Sequence, residues 1–312
     1  MQAKAKKAKI QKQKFSWELM YRQRYLLLMS VPFVVWLFIF KYIPLWGWTM
    51  AFQEVKPATF SLSFFERTFV GFANFQKAFS DRIFAQTIIN TIGTSILGIA
   101  LGTISAIVFA VMLNEIRFMK FKKITQTISY LPHFVSWVVI ASIAKMVCND
   151  GGLLDRMTGR DLKLLSTNSV MIWVVICVIN IWKEVGWDAI VYLSAMAGID
   201  SGLYEAAKVD GANRLQRIWH ITLPGIKPTI IVLLIMSIGS TLNVGMERQM
   251  LLSNAIVQDH TMVLSWFAYL RGIGNNNYGV GTAIGMFQSV VGITLLLIAN
   301  KIASLFGESK LI

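Results

Sequence analysis

Histidine and cysteine are nearly missing from this 312-residue chain, which has three of the first and two of the second. So sparse a stock excludes a disulfide framework and a Cys- or His-rich metal centre. Cys177 lies inside an apolar run and is expected to pack as a small hydrophobe. Acidic residues are scarce as well, 16 against 30 Lys and Arg. Charged residues of both signs make up 15% of the chain, well below the share of about 25% usual for soluble domains. No G-x-x-x-x-G-K-[ST] pattern occurs, so the chain lacks the Gly-rich loop that cradles nucleotide phosphates. No paired Asp, Ser–His dyad or His-rich spacing falls at matching depth in the apolar runs, which argues against an intramembrane enzyme. A cleavable signal peptide is not expected, because the first apolar run is long and no small-residue cleavage site follows it.

What the chain does have is apolar length. Hydrophobic residues make up 55% of it, and the mean hydropathy is +0.57. A membrane-spanning helix needs about 20 mostly apolar residues. Six segments meet that length, at about 25–50, 86–113, 124–146, 164–195, 228–247 and 279–303. The expected fold is all-α: a polytopic membrane protein with six transmembrane helices, residues 25–312, behind a basic tail at 1–24. Glycines 93, 98 and 102 in the second span and 281, 285 and 292 in the sixth are expected to let helices pack closely. The aromatics of "FVGFANFQKAF" suit a segment at headgroup level.

The charge of +14 is distributed as a membrane topology demands, and it does not point to nucleic acid. Eight Lys and Arg fall in the first 24 residues: Lys4, Lys6, Lys7, Lys9, Lys12, Lys14, Arg22 and Arg24. Arg117, Lys120, Lys122 and Lys123 follow the second span, and Lys208, Arg214, Arg217 and Lys227 follow the fourth. Loops on the other side are balanced or nearly uncharged. Positive residues mark the cytoplasmic side, so both termini are expected inside, with the tail drawn to anionic headgroups of the bilayer.

Between the fourth and fifth spans lies "YEAAKVDGANRLQRIWHITLPGIKP". Asp200 is placed to cap a helix starting near Ser201, with Glu205 near its positive end. Gly211 is expected to end that helix in a left-handed conformation. A second short helix should carry Leu215, Ile218 and Trp219 on one face, and Pro224 and Pro228 should break the chain before the fifth span. The result is a cytoplasmic helix–turn–helix over residues 199–227. A plain reversal needs only a few residues, so a docking surface is the better reading.

Glu205, Ala206, Ala207, Gly211, Ile221, Leu223 and Pro224 fill every position of Glu-Ala-Ala, three residues, Gly, nine residues, Ile-x-Leu-Pro. This segment resembles the EAA loop of binding-protein-dependent ABC importer permeases. "YLPHFVSWVVIA", "IWKEVGWDAIVYLSAMAGIDSGLYEAAKVDGA" and the ending "FGESKLI" are similar to the LplB-like sugar permeases, which work with lipoprotein binding proteins. The resemblance implies a permease subunit of a carbohydrate importer in a bacterial plasma membrane. It implies that the coupling residues Glu205, Ala206, Ala207, Asp210, Gly211, Ile221, Leu223 and Pro224 meet an ATPase subunit. The implied partners are a second homologous permease, two ATPase subunits and an extracellular sugar-binding lipoprotein. No cofactor is expected on this chain; ATP and Mg would bind the ATPases. An ion-coupled secondary transporter of a small polar solute is the alternative, and it would have no use for the coupling loop.

Polar residues within spans usually face a cavity or a partner. Candidates for a substrate pathway are Asn180, Trp187, Ser240, Asn243 and Glu247. Ser240, Asn243 and Glu247 are spaced to form a polar stripe on one helix face. Interhelical hydrogen bonding is the bland reading of the same residues. Lys183 and Glu184, being adjacent, are not expected to pair on a helix. Either a helix interrupted at Gly186 places them beside a cavity, or they have left the hydrocarbon and brace the coupling loop or bind the partner permease. Asn90, His133 and Gln288 read as structural.

Overall fold

The computed structural model describes residues 21–59, 61–63, 65–166 and 170–305. Most of the basic tail and the "FGESKLI" ending lie outside the described residues. The chain divides after Thr49 into two compact units. α1 (Arg24–Leu37) lies in the first and runs through Pro32 into a π-helical turn, Phe38–Tyr42; the 3-10 stretch that follows, Ile43–Phe52, extends past Thr49. None of the α1 residues is buried. A helix apolar and exposed all round suits a lipid environment.

The second unit contains α2 (Ala73–Phe79), α3 (Phe84–Asn114), α4 (Met119–Tyr130), α5 (Trp137–Cys148), α6 (Leu153–Thr158) and α7 (Met171–Ala197). It continues with α8 (Ser201–Val209), α9 (Arg214–Arg217), α10 (Leu223–Gly239), α11 (Met246–Leu252), α12 (Gln258–Thr261), α13 (Leu264–Tyr269) and α14 (Tyr278–Leu305). One isolated antiparallel bridge, Gln53 with Phe69, is the only β pairing among the described residues. Helices satisfy their own backbone groups, which hydrocarbon requires.

Among the described residues, five helical stretches are long and apolar enough to cross a membrane: Arg24–Phe52, Phe84–Asn114, Trp137–Thr158, Arg214–Gly239 and Tyr278–Leu305. The remaining expected span, the fourth, corresponds to α7, one continuous helix of 27 residues. Any 18-residue stretch of it contains Lys183, Glu184 and Asp188 together, so it exceeds the two charges that a plain span carries. The third span also begins later than expected. The segment from Ile124 belongs to the amphipathic α4, which carries Lys120, Lys122 and Lys123. A 3-10 turn at Leu131–Phe134, holding Pro132, and extended residues Val135 and Ser136 then separate α4 from α5.

Helices α3 and α7 form the most extensive pair, and α10 packs along α14. Three of the six glycines singled out above serve close approach. A Cβ on Gly93 would lie 2.2 Å from the Trp173 ring, one on Gly281 2.7 Å from Gly272 Cα, and one on Gly292 2.7 Å from the Gly239 carbonyl. Gly98, Gly102 and Gly285 have nothing within 4 Å, so packing does not explain them. Asn90 is buried in α3, where its amide donates to the Asp259 carbonyl at 2.7 Å and the Met262 carbonyl at 2.9 Å. Gln288 likewise donates to the Leu242 carbonyl at 2.9 Å. Both are structural, as expected. Cys177 is buried and free. The aromatic segment folds as α2 and joins a chain of rings, Phe75 to Phe79 to Phe84 and Phe287, rather than standing apart.

Candidate functional site

Two regions stand out: the segment between α7 and α10, and a polar cavity beside α3 and α7. In the first, Asp200 accepts a hydrogen bond from the Gly202 amide at 2.9 Å and starts α8. Gly211 follows with φ +77°, the left-handed conformation expected of it. Asn213 and Gln216 then form a reciprocal capping box that opens α9. The Tyr204 hydroxyl lies 3.0 Å from that of Thr222, tying α8 to the chain that enters α10.

The two prolines do not break this chain. From Arg214 to Gly239 it is helical for 26 residues, with a π-helical turn at Ile218–Thr222. Pro224 occupies the first turn of α10, just past the wider π turn, and Pro228 sits inside α10. A proline early in a helical turn, next to a π bulge, gives up little of the hydrogen-bond ladder.

The surface of this segment is mixed. Glu205, Ala206, Asp210, Gly211 and Pro224 are exposed, whereas Ala207, Ile221 and Leu223 are half-buried. Four large apolar side chains lie among the charges without cover in the chain: Leu203, Val209, Leu215 and Trp219. Val209 is 87% exposed. Arg214 reaches back to Glu115, 3.8 Å away, at the end of α3.

The cavity has a volume of about 290 Å³. Thr94, Ser95, Gly98, Ile99, Gly102 and Thr103 of α3 form one wall, and Asn180 and Asp188 of α7 another. Ser237, in the last turn of α10, together with Ser240, Thr241, Asn243, Val244, Gly245 and Arg248, completes the lining. A further cavity of about 200 Å³ shares Gly102, Thr103, Asp188 and Ser237 with it and adds Trp187 and Tyr192. Gly98 and Gly102 thus keep space open where a side chain would fill it.

Of the predicted pathway residues, Asn180, Ser240 and Asn243 meet at the larger cavity and Trp187 lines its continuation. Glu247 is exposed and lines neither. The expected stripe on one helix face does not exist, because α10 stops at Gly239 and α11 begins only at Met246. Residues between them form an irregular turn that brings Ser240 and Asn243 to the cavity. Sequence reasoning missed Arg248 as a lining residue. Its Nη1 donates to Asn180 Oδ1 at 2.6 Å, a contact across 68 residues that no local pattern signals.

Lys183 and Glu184 also depart from expectation. α7 runs unbroken through Gly186, and the two side chains do pair, with Lys183 Nζ 3.0 Å from Glu184 Oε1. Lys183 Nζ donates to the His133 carbonyl at 2.6 Å, and Glu184 Oε2 lies 2.5 Å from His133 Nδ1. The 3-10 turn that carries His133 meets both side chains, its carbonyl taking Lys183 and its imidazole Glu184.

A family model for the binding-protein-dependent transport system inner membrane component matches residues 98–306. The chain is 38% identical to the polygalacturonan/rhamnogalacturonan transport system permease protein YteP of Bacillus subtilis (strain 168), over 92% of this chain and 90% of that protein. It is also 38% identical to the protein LplB of the same organism, over 93% and 92%. A chain in the crystal structure of a bacterial alginate ABC transporter, in complex with an alginate pentasaccharide-bound periplasmic protein, aligns with a TM-score of 0.83 and 34% identity. That alignment covers 95% of this chain and 99% of the other. On these grounds the chain belongs to the family of binding-protein-dependent ABC transport system inner membrane components, multi-pass permease subunits that are not themselves enzymes.

Proposed function

We propose that this chain is one of two permease subunits of an ATP-driven importer for oligosaccharides, and that residues 199–227 couple it to ATPase subunits. The polysaccharide names of the relatives support a carbohydrate cargo. The observation that carries the coupling reading is the set of uncovered apolar side chains, Leu203, Val209, Leu215 and Trp219, on a capped helix–turn–helix rich in charge. Apolar groups grouped in this way on a polar surface mark a protein interface. Glu205, Ala206 and Gly211 present small or charged groups beside them, so a second surface can approach closely. The cavity lined by Asn180, Ser240 and Asn243 supplies this chain's share of the pathway, facing a second permease of similar fold. A sugar-loaded binding protein docks on the outer side. Both termini and the coupling segment lie in the cytoplasm, and ATP and Mg act on the partner ATPases.

The test is co-purification. The chain is expressed with its genomic neighbours, and wild type is compared with Gly211→Asp and Glu205→Ala. The wild type should bring down an ATPase subunit, and the variants should lose it or lose saccharide-stimulated ATP hydrolysis. If no ATPase accompanies the wild type and saccharide still enters cells, the importer reading fails and an ion-coupled transporter takes its place.

A further inference from the structure

Arg248 is the one cation lining the larger cavity. Its Nη1 is held by Asn180, while its Nε is buried with no hydrogen-bond partner. No carboxylate forms an ion pair with it among the described residues. A half-buried ionised group is costly to desolvate and is ordinarily matched by an opposite charge. Asn180 is neutral, and Glu184, whose negative charge is felt at Arg248, is already held by Lys183 and His133, so no carboxylate meets the guanidinium directly. The only acidic residue in the lining is Asp188. It lies eight residues beyond Asn180 on the same helix, about 12 Å away at 1.5 Å per residue. Between the two ends, the lining is mostly hydroxyl groups, amides and glycine, with Ile99 and Val244 as its apolar members.

We infer that Arg248 receives a carboxylate of the transported saccharide, so that the cargo is a uronate-containing oligosaccharide. A carboxylate matches the guanidinium fork and supplies an acceptor for the buried Nε. Asp188, an acceptor at the other end, suits sugar hydroxyls and repels a second carboxylate, so the two ends fix the direction in which the sugar chain lies. Ser237, Ser240 and Asn243 serve the hydroxyls between. This inference rests on the permease reading above and names its cargo.

The test uses proteoliposomes that hold the whole complex: this chain, its partner permease and the ATPases. An oligogalacturonide and its methyl ester, which differ in charge but little in size, are each supplied on the binding protein. The readout is the ratio of acid to ester uptake, because taking the ratio of variant to wild type cancels the binding protein's own preference. Arg248→Gln should lower that ratio about tenfold or more, since a site built around a polar partner discriminates strongly by that partner. Arg248→Lys, which keeps the charge and loses the fork, should retain part of it. An unchanged ratio in Arg248→Gln overturns the inference. That result would include a parallel fall for both saccharides, as expected if Arg248 instead pairs with a carboxylate of the second permease. It would leave the permease reading intact. If the wild-type complex hydrolyses ATP but moves neither saccharide, the uronate inference falls and the permease reading stands.

Discussion

The imidazole of His133 lies flat on the indole of Trp187, with ring centroids 4.2 Å apart and planes within 1°. Beneath the stack, Lys183 is bonded to both Glu184 and the His133 carbonyl. The turn before α5 is thus clasped to the middle of α7 by one stacked pair and a compact ionic network.

Removing one member of that network should be worse than removing two. Lys183→Met leaves the Glu184 carboxylate without its cation and the His133 carbonyl without its donor. Breaking a buried pair from one side costs about 3–5 kcal/mol. The detergent-solubilised variant should unfold at a clearly lower temperature than wild type. Lys183→Met combined with Glu184→Gln should recover part of the loss, and no recovery would show that the two side chains act independently.

Gly186 and Gly98 should respond oppositely to alanine. A Cβ on Gly186 would lie 2.2 Å from the Ser129 carbonyl oxygen, which is backbone and cannot swing away. Forcing α4 and α7 apart costs about 1–3 kcal/mol or more, so Gly186→Ala should reduce the yield of folded protein. Gly98 has open space around it, so Gly98→Ala should fold normally. Size-exclusion profiles of the two solubilised variants make the comparison.

Asn90→Leu should destabilise the chain although it adds apolar bulk to a membrane helix. It would leave the Asp259 and Met262 carbonyls without the donor they share. An orphaned buried polar group costs about 1–3 kcal/mol. The expected result is a lower midpoint in thermal unfolding, together with faster amide exchange over residues 258–264.

At Gly211 the substituent should matter through backbone geometry. Its φ of +77° penalises a side chain, by roughly 1–2 kcal/mol for an ordinary residue, and more for a β-branched one. Asparagine visits that region more readily than valine. Gly211→Val should therefore raise amide exchange across α8 and weaken ATPase co-purification more than Gly211→Asn. Equal behaviour of the two would point to the side chain rather than the turn.

Local signals carried the segment between α7 and α10 into view. Asp200 and Gly211 do what their types and positions dictate, whereas the Asn213–Gln216 box, an N-x-x-Q pattern ahead of the second short helix, is a local signal that sequence reasoning missed. What failed were inferences that depend on distant partners. The pairing of Lys183 with Glu184 depends on His133, 50 residues earlier. The end of α10 at Gly239 looked like continued helix because Ser240, Asn243 and Glu247 keep helical spacing; Leu242 and Val244 instead turn into a core built by Val263, Leu264 and Phe267. Proline was read as a breaker because a regular α ladder was assumed, and the π turn at Ile218–Thr222 removes that assumption.

The absence of a break between Arg214 and Gly239 has a mechanical consequence. A rod of 26 residues measures about 39 Å at 1.5 Å per residue. One end carries the arginines of the exposed segment; the other stops at Ser240, in the cavity wall. Tilting such a lever by a few degrees about its midpoint moves its two tips in opposite directions. Compliance along it is concentrated at the π turn Ile218–Thr222 and at Pro228, so the stiffness of those two joints sets how much displacement at the arginines reaches the serine.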